Sequence, residues 1–183
     1  LVRGATVVVR DGRISSLTGP VPADACRIDG AGRILMPGLT DLHVHTDSSE
    51  LALFVVNGVT MVRELNGSPG MLALRAKVAR GDVLGPRILA SSPLLVGAPL
   101  RYRHQVVATP ADARRLAREY KAAGYDYLKI YDGLSREVYD AFVDEARALG
   151  IPLDGHVPEA GGLARVIEAG QALQHMDKSA FAL

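Results

Sequence analysis

Short hydrophobic runs alternate with longer amphipathic stretches along most of this chain, from residue 39 onward. Runs of this length, rich in branched and aromatic residues, predict β-strands, whereas apolar residues that recur every three to four positions predict helices. Six strands are predicted in this way, over residues 39–44, 59–63, 87–91, 127–131, 152–156 and 172–175.

Helix-capping residues mark two of the amphipathic stretches between these strands. Thr109 is an N-cap candidate, Pro110 follows it at the first helical position, and Gly124 is placed to end that helix. Ser135 and Gly150 bracket a second helix in the same way. A shorter stretch of the same kind, GGLARVIEAGQ, follows the fifth predicted strand.

Alternation of strands and helices predicts right-handed βαβ crossovers and a parallel sheet, which makes this an α/β protein. Six such units fit a (β/α)8 TIM-type barrel better than a small open sheet. A barrel of that kind runs to about 250 residues. We therefore interpret residues 37–183 as the first six βα units of a barrel whose C-terminal units are missing.

Residues 1–36 have a different pattern, rich in β-prone residues. The dipeptide Asp11-Gly12 between two apolar runs predicts a tight β-hairpin. A further β-prone segment, CRIDGAGRILM, is predicted to add to it. A few short strands bury too little surface to be stable alone, so this region is interpreted as part of a small N-terminal β-sandwich.

Composition narrows the classes of partner. Of the 183 residues, 48% are hydrophobic and 22% charged, which is typical of a globular protein. Lys plus Arg total 21 and Asp plus Glu total 20, so neither nucleic acid nor an anionic membrane is predicted as a partner. Cys26, the single cysteine, excludes an intrachain disulfide framework and a Cys-rich zinc site. The compartment stays open between the cytoplasm and a destination reached after signal-peptide removal.

Two histidines at the end of the first barrel strand are the first candidate for chemistry. Strand side chains alternate between faces, so His43 and His45 point the same way, with Cα atoms about 7 Å apart. Active sites of such barrels lie at the C-terminal ends of the strands. The pair is suited to one metal ion, although two hydrogen-bonded or solvent-facing histidines would give the same pattern.

Three more residues strengthen the metal interpretation. His156 and His175 each end a predicted strand, where a lone histidine would ordinarily be structural. Lys129 shares the inward face of its strand with Tyr127 and Tyr131. An inward lysine is costly unless its charge is paired or removed, and addition of CO2 to the amine would turn it into a carboxylate that bridges two metal ions. An exposed lysine at the strand end is the alternative.

The ordered set of motifs resembles the amidohydrolase superfamily, closest to its imidazolonepropionase-like and prolidase-like metal-dependent hydrolases. The segments that carry the resemblance run in the family's order over nearly the whole chain: DGRISSL, ILMPGLTDLHVHT, NGVTMVREL, GPRILASS, AGYDYLKIYDGLS, GIPLDGHVPEAGG and AGQALQHMD.

The resemblance implies a binuclear site in which His43 and His45 hold the more buried ion. Carbamylated Lys129 would bridge that ion to a second one, held by His156 and His175. A metal-bound hydroxide would then attack the carbonyl carbon of a cyclic or peptide-like amide, whose C–N bond is cleaved in the reaction. Zinc is favoured because it accepts imidazole and carboxylate ligands, while other divalent ions stay open.

The resemblance also implies a substrate pocket around these ligands. Tyr131 is expected to contact a substrate carbonyl, with an aromatic plug of the barrel as the alternative. In the loop after the third strand, Arg103 and His104, with Arg101 and Tyr102, are candidates for binding a substrate carboxylate. A solvated basic loop is the favoured interpretation there.

One ligand expected for the family has no counterpart in this sequence, the aspartate after the eighth strand. Asp177 is only a candidate for indirect support of His175. We therefore expect the chain alone to be a poor hydrolase and to need a second polypeptide, or self-association, to cover its open edges. The alternatives are a mononuclear, deaminase-type relative, in which Lys129 stays unmodified, and a catalytically incomplete assembly partner.

Overall fold

The chain divides into two compact units, Leu1–Pro37 and Gly38–Leu183. A computed structural model describes residues 2–175 of them. Within that range, no helix has both the length and the apolar character needed to cross a membrane.

The first unit contains the predicted hairpin. Strands β1 (Val8–Arg10) and β2 (Arg13–Ser16) pair antiparallel. The two residues between them have φ of 51° at Asp11 and 71° at Gly12. Two successive positive φ values are typical of the tight turn that matches the twist of a hairpin, so the hairpin prediction is confirmed.

The β-prone segment that follows was predicted wrongly as a strand. The structure has a turn there, in which Asp29 Oδ1 accepts a hydrogen bond from the Ala31 amide at 2.8 Å. The Arg33 amide donates to the Gly30 carbonyl at 2.8 Å, and φ is positive at Ala31 and Gly32. The Asp-Gly-Ala-Gly sequence therefore forms a local turn that interrupts any strand.

The second unit is a parallel sheet flanked by helices. Its strands are β3 (Leu39–Val44), β4 (Val59–Glu64), β5 (Arg87–Val96), β6 (His104–Val106), β7 (Tyr127–Ile130), β8 (Leu153–Gly155) and β9 (Ala172–Leu173). Six of them pair in the order β3-β4-β5-β7-β8-β9, and β6 adds to β5. The sheet curls into a half-barrel, which confirms the predicted partial TIM-type barrel.

Five helices connect the strands: α1 (Leu51–Val56), α2 (Pro69–Arg80), α3 (Pro110–Ala123), α4 (Arg136–Leu149) and α5 (Gly162–Ala169). The predicted caps of α3 and α4 are present. Thr109 accepts from the Asp112 amide at 3.1 Å, and Ser135 accepts from the Val138 amide at 3.3 Å. The glycines that end these helices adopt left-handed conformations.

The third barrel strand is longer than predicted, and β6 was not predicted at all. The sequence pattern assigns His104 to the loop after that strand. Strand β5 instead continues through Pro93 to Val96, and its last residues pair with His104–Val106. The extension is stabilised by pairing with β6 and β7, which residue patterning alone does not reveal.

The hydrophobic core lies between the sheet and the helices. One cluster joins α3, α4 and α5 to β7 and β8, with Leu128, Ile130 and Phe142 fully buried. A second joins α1 and α2 to β4 and β5 through Leu51 and Val62. The opposite, inward face of the strands carries the polar side chains discussed below.

Replacing Thr109 with alanine tests the helix α3 cap. The variant is expected to lose about 1 kcal/mol of unfolding free energy because the Asp112 amide loses its acceptor. Thr109→Ser keeps the hydroxyl and is the matched control, expected to stay near the parent. Denaturant unfolding of both variants measures the difference, and equal loss in the two would contradict a capping role.

Candidate metal centre

Four histidines meet at the C-terminal edge of the half-barrel. The ring centroids are 5.2 Å apart for His43 and His45, 4.6 Å for His43 and His175, and 5.1 Å for His156 and His175. These residues come from three different strands or the loops that follow them, so the structure brings together the four histidines that the sequence analysis selected.

The first histidine pair brackets a core residue. Val44, the last residue of β3, packs into the α1–α2 cluster, which turns His43 and His45 away from the helices. His45 lies just past the strand, and its side chain is 56% exposed. His156, in contrast, has only 3% of its surface exposed.

Gly155 determines how His156 is placed. Its φ is 141°, and a Cβ at this position would lie 1.9 Å from the Ile130 carbonyl oxygen. The close approach lets the His156 amide donate to that same carbonyl at 3.0 Å. A residue with a side chain cannot occupy this position without moving the strand, so a glycine directly before His156 is a steric requirement of this arrangement.

Three of the histidines have a carboxylate or amide oxygen next to Nδ1. His43 Nδ1 donates to Gln174 Oε1 at 2.8 Å, and His156 Nδ1 donates to Asp132 Oδ1 at 2.9 Å. His45 Nδ1 lies 3.5 Å from Glu64 Oε1. The hydrogen bonds of His43 and His156 favour the tautomer with the proton on Nδ1, which leaves Nε2 as the atom that could bind a metal ion.

The sequence analysis missed these acceptors. Asp132 carried the clearest signal, because it follows a predicted strand by one residue and so lies at the same edge as the histidines. Gln174 directly precedes His175, but nothing in the sequence indicates that its side chain reaches back to β3.

Burial favours the neutral, metal-binding form of two imidazoles. It lowers the pKa of His156 below the ordinary histidine value, against the opposing effect of Asp132. It likewise lowers the pKa of His43, against the hydrogen bond to Gln174. A neutral imidazole is the form that binds a metal ion.

Glu64 fixes the loop after the first histidine pair. Its carboxylate is buried and accepts hydrogen bonds from the Thr46 amide at 2.8 Å and the Asn66 amide at 2.9 Å. The backbone beside His45 is thereby tied to the end of β4. Glu64 was not among the predicted site residues.

Lys129 lies on the inward face of β7, as its position in the strand predicted. It is 1% exposed, and its Nζ has no hydrogen-bond partner within residues 2–175. Burial lowers the pKa of Lys129 to about 8; Asp154 opposes this shift and Arg63 adds to it. His156 Nε2 is the second buried nitrogen without a partner in the described part of the chain.

Of the remaining predicted residues, one borders the histidine cluster and the others do not. The Tyr131 ring lies against His156, with ring centroids 4.0 Å apart, so Tyr131 borders the histidine cluster.

His104 uses both ring nitrogens for contacts with the loop that precedes it. Its Nδ1 donates to the Tyr102 carbonyl at 2.5 Å, and its Nε2 accepts from the Leu100 amide at 3.3 Å. Arg103 is exposed, and Asp177 lies outside the described residues.

The donor set fits a divalent ion, although the present side-chain arrangement is not a formed site. Among residues 2–175, no group of three or more His, Cys, Asp or Glu side chains is arranged to hold a metal. The imidazoles pack edge to face against one another instead. Imidazole nitrogens with supported tautomers, among them the unpartnered Nε2 of His156, are of the kind that binds divalent metal ions.

Comparison with curated proteins and solved structures identifies relatives. The adenine deaminase of Deinococcus radiodurans is 28% identical over 98% of this chain and 36% of the deaminase. The imidazolonepropionase of Mycolicibacterium smegmatis is 47% identical over 25% of this chain and 12% of that enzyme. A Bifidobacterium longum protein described as a prolidase is 31% identical, with a TM-score of 0.74 over 90% of this chain and 47% of its own.

The resemblance to the amidohydrolase superfamily is confirmed. Bottromycin amidohydrolase gives the same result, at 29% identity and a TM-score of 0.68 over 73% of this chain and 31% of its own. The chain therefore spans less than half the length of each of these superfamily relatives. No protein-family model matches it.

Gly155→Ala tests the steric requirement behind His156. We expect a loss of at least about 3 kcal/mol of unfolding free energy, since the new methyl group meets the Ile130 carbonyl. Gly150→Ala is the matched control: it also has positive φ, but nothing lies within 4 Å of its Cβ, so only about 1–2 kcal/mol is expected. Denaturant unfolding distinguishes them, and similar losses would contradict the close approach.

Proposed function

We propose that this chain supplies most of the metal-binding side chains of a metal-dependent hydrolase that cleaves C–N bonds. The observation that carries the proposal is the convergence of four imidazoles beside the buried Lys129 amine at one edge of the half-barrel. The relatives support the same chemistry, since they are named as deaminase, imidazolonepropionase, prolidase and amidohydrolase.

In this proposal two ions share the site, and zinc is the favoured metal. His43 and His45 would hold one ion, His156 and His175 the other, and carbamylated Lys129 would bridge them. When bound, divalent ions make water nucleophilic near neutral pH and polarise the carbonyl under attack.

The chain's own residues orient these ligands and border the substrate. Asp132 and Gln174 hold the rings of His156 and His43 with Nε2 directed away from the acceptor. Tyr131, which packs on His156, would bind the carbonyl oxygen of a small or dipeptide-like amide. Arg103 and His104 are not carried into this proposal, because His104 is engaged by its own loop.

Completion of the site is also a proposal. The aspartate that the superfamily places after the eighth strand would come from further polypeptide, from a second chain, or from a second copy in a homo-oligomer. Several apolar side chains of the second unit are exposed, including Leu42, Leu53 and Val56, and these are available to be covered.

A mononuclear, deaminase-type enzyme is the second candidate. The name of the Deinococcus relative, adenine deaminase, favours it. In that case Lys129 keeps a free amine and one ion is bound for each protein. Metal analysis of the complete protein distinguishes one bound ion from two, and absence of both metal and turnover would instead indicate an assembly partner.

Lys129→Ala tests the bridging role. We expect loss of hydrolysis of dipeptides and cyclic amides by the complete protein, on the order of 10³-fold or more, because one ligand of both ions is removed. Short carboxylic acids such as acetate or propionate should restore part of the activity. Lys77→Ala, at an exposed lysine of α2, is the control. Full activity of Lys129→Ala without added acid would rule out the bridge.

Asp132→Asn tests the support of His156. An amide is a weaker acceptor for the imidazole N–H than a carboxylate, so metal affinity should fall by about 10- to 100-fold. Competition with a chelator measures it. Asp144→Asn, on the exposed face of α4, should leave the affinity unchanged. Equal affinities for parent and Asp132→Asn would remove Asp132 from the site.

A further inference from the structure

A partly buried ion pair crosses the inward face of the half-barrel. Arg63 Nη2 on β4 donates to Asp154 Oδ2 on β8, although β5 and β7 lie between these strands in the sheet. The guanidinium also lies 4.6 Å from the centroid of the Tyr127 ring, whose hydroxyl donates to the Glu64 carbonyl at 2.9 Å. Arg63 is thus held from two sides, and none of these contacts involves the proposed metal ligands directly.

Asp154 is the direct neighbour of Lys129. The two residues are in register on the adjacent parallel strands β7 and β8, so their side chains share the inward face. A carboxylate and an amine at such neighbouring positions would ordinarily form an ion pair with each other. The Asp154 carboxylate instead binds Arg63, and both Asp154 Oδ1 and Lys129 Nζ are buried without a hydrogen-bond partner anywhere in residues 2–175.

Two buried polar atoms on neighbouring residues, a nitrogen of Lys129 and an oxygen of Asp154, are thus left unpaired. A buried polar atom without a partner is costly, so we look for a change at Lys129 that would pair them. Resting on the carbamate proposed above, we infer that Asp154, held in place by Arg63, is a positioning residue that accepts the remaining N–H of carbamylated Lys129.

Carbamylation leaves one N–H on Lys129 and makes its nitrogen planar, which fixes the direction of that N–H. The lone pair of the neutral Lys129 amine forms an N–C bond to CO2, one C=O electron pair moves onto oxygen, and one N–H proton leaves to solvent. The product keeps a single N–H on Nζ, and Asp154 Oδ1 is the acceptor at hand. Arg63 offsets the charge of Asp154, so that a second anionic group can form beside it.

The test measures carbamate rather than turnover. The complete protein, loaded with Zn²⁺, is titrated with isotope-labelled bicarbonate, and the carbamate carbon is followed by NMR. Asp154→Asn has one oxygen to serve both Arg63 and the Lys129 N–H. It should therefore need about tenfold more bicarbonate, or more, for the same occupancy.

Two further variants make the test decisive. Asp126→Asn breaks another Arg–Asp pair, with Arg75, away from Lys129, and should titrate like the parent. Arg63→Gln/Asp154→Asn removes both charges together, which avoids a lone buried ion if the single variant does not fold. The double variant should also need at least tenfold more bicarbonate.

The outcomes separate this inference from the proposed function. A carbamate signal in the parent and Asp126→Asn, weakened in the Asp154 variants, supports both. Unchanged or higher occupancy in the folded Asp154 variants overturns the positioning role and leaves the binuclear proposal standing. No carbamate signal in the parent overturns both.

Discussion

Parallel pairing of β7 with β8 is the constraint on which the candidate site depends. The pairing places the ends of these strands at one edge, and the Ile130 carbonyl accepts the amide of His156 only because Gly155 has no side chain there. The next strand is tied in by the same residue, since the Gln174 amide donates to the Gly155 carbonyl at 2.9 Å. One backbone position therefore sets where His156 and the segment carrying His175 emerge from the sheet.

The two faces of the sheet carry different side chains, because buried charges need compensating partners. Helices cover the outer face with aliphatic and aromatic side chains, which stabilises the fold without directional contacts. The inward face holds the buried side chains of Lys129 and Asp154 and the partly buried side chain of Arg63, and burial of such charges is tolerable only with compensation. Arg63 and Asp154 compensate each other, whereas the Lys129 amine has no hydrogen-bond partner among residues 2–175.

Sequence patterning was sufficient for the features that repeat along the chain. The six barrel strands all begin within one residue of their predicted starts, and the caps at Thr109 and Ser135 are present. It failed where the outcome depended on what the backbone meets in three dimensions. The extension of β5 needed β6 as a partner, and residues 26–36 turned at Asp29 instead of forming a strand.

The same distinction separates the histidines from the residues that support them. His43, His45, His156 and His175 end strands, so parallel topology alone predicts that they meet. Contacts such as Arg63 with Asp154, or Gln174 with His43, join strands that are distant in sequence and not adjacent in the sheet. They exist only because the sheet curls, and its curvature is a property of the packed strands together. The meeting point of the four histidines can therefore be predicted from topology, whereas the hydrogen bonds made by their Nδ1 atoms become visible only in the folded half-barrel.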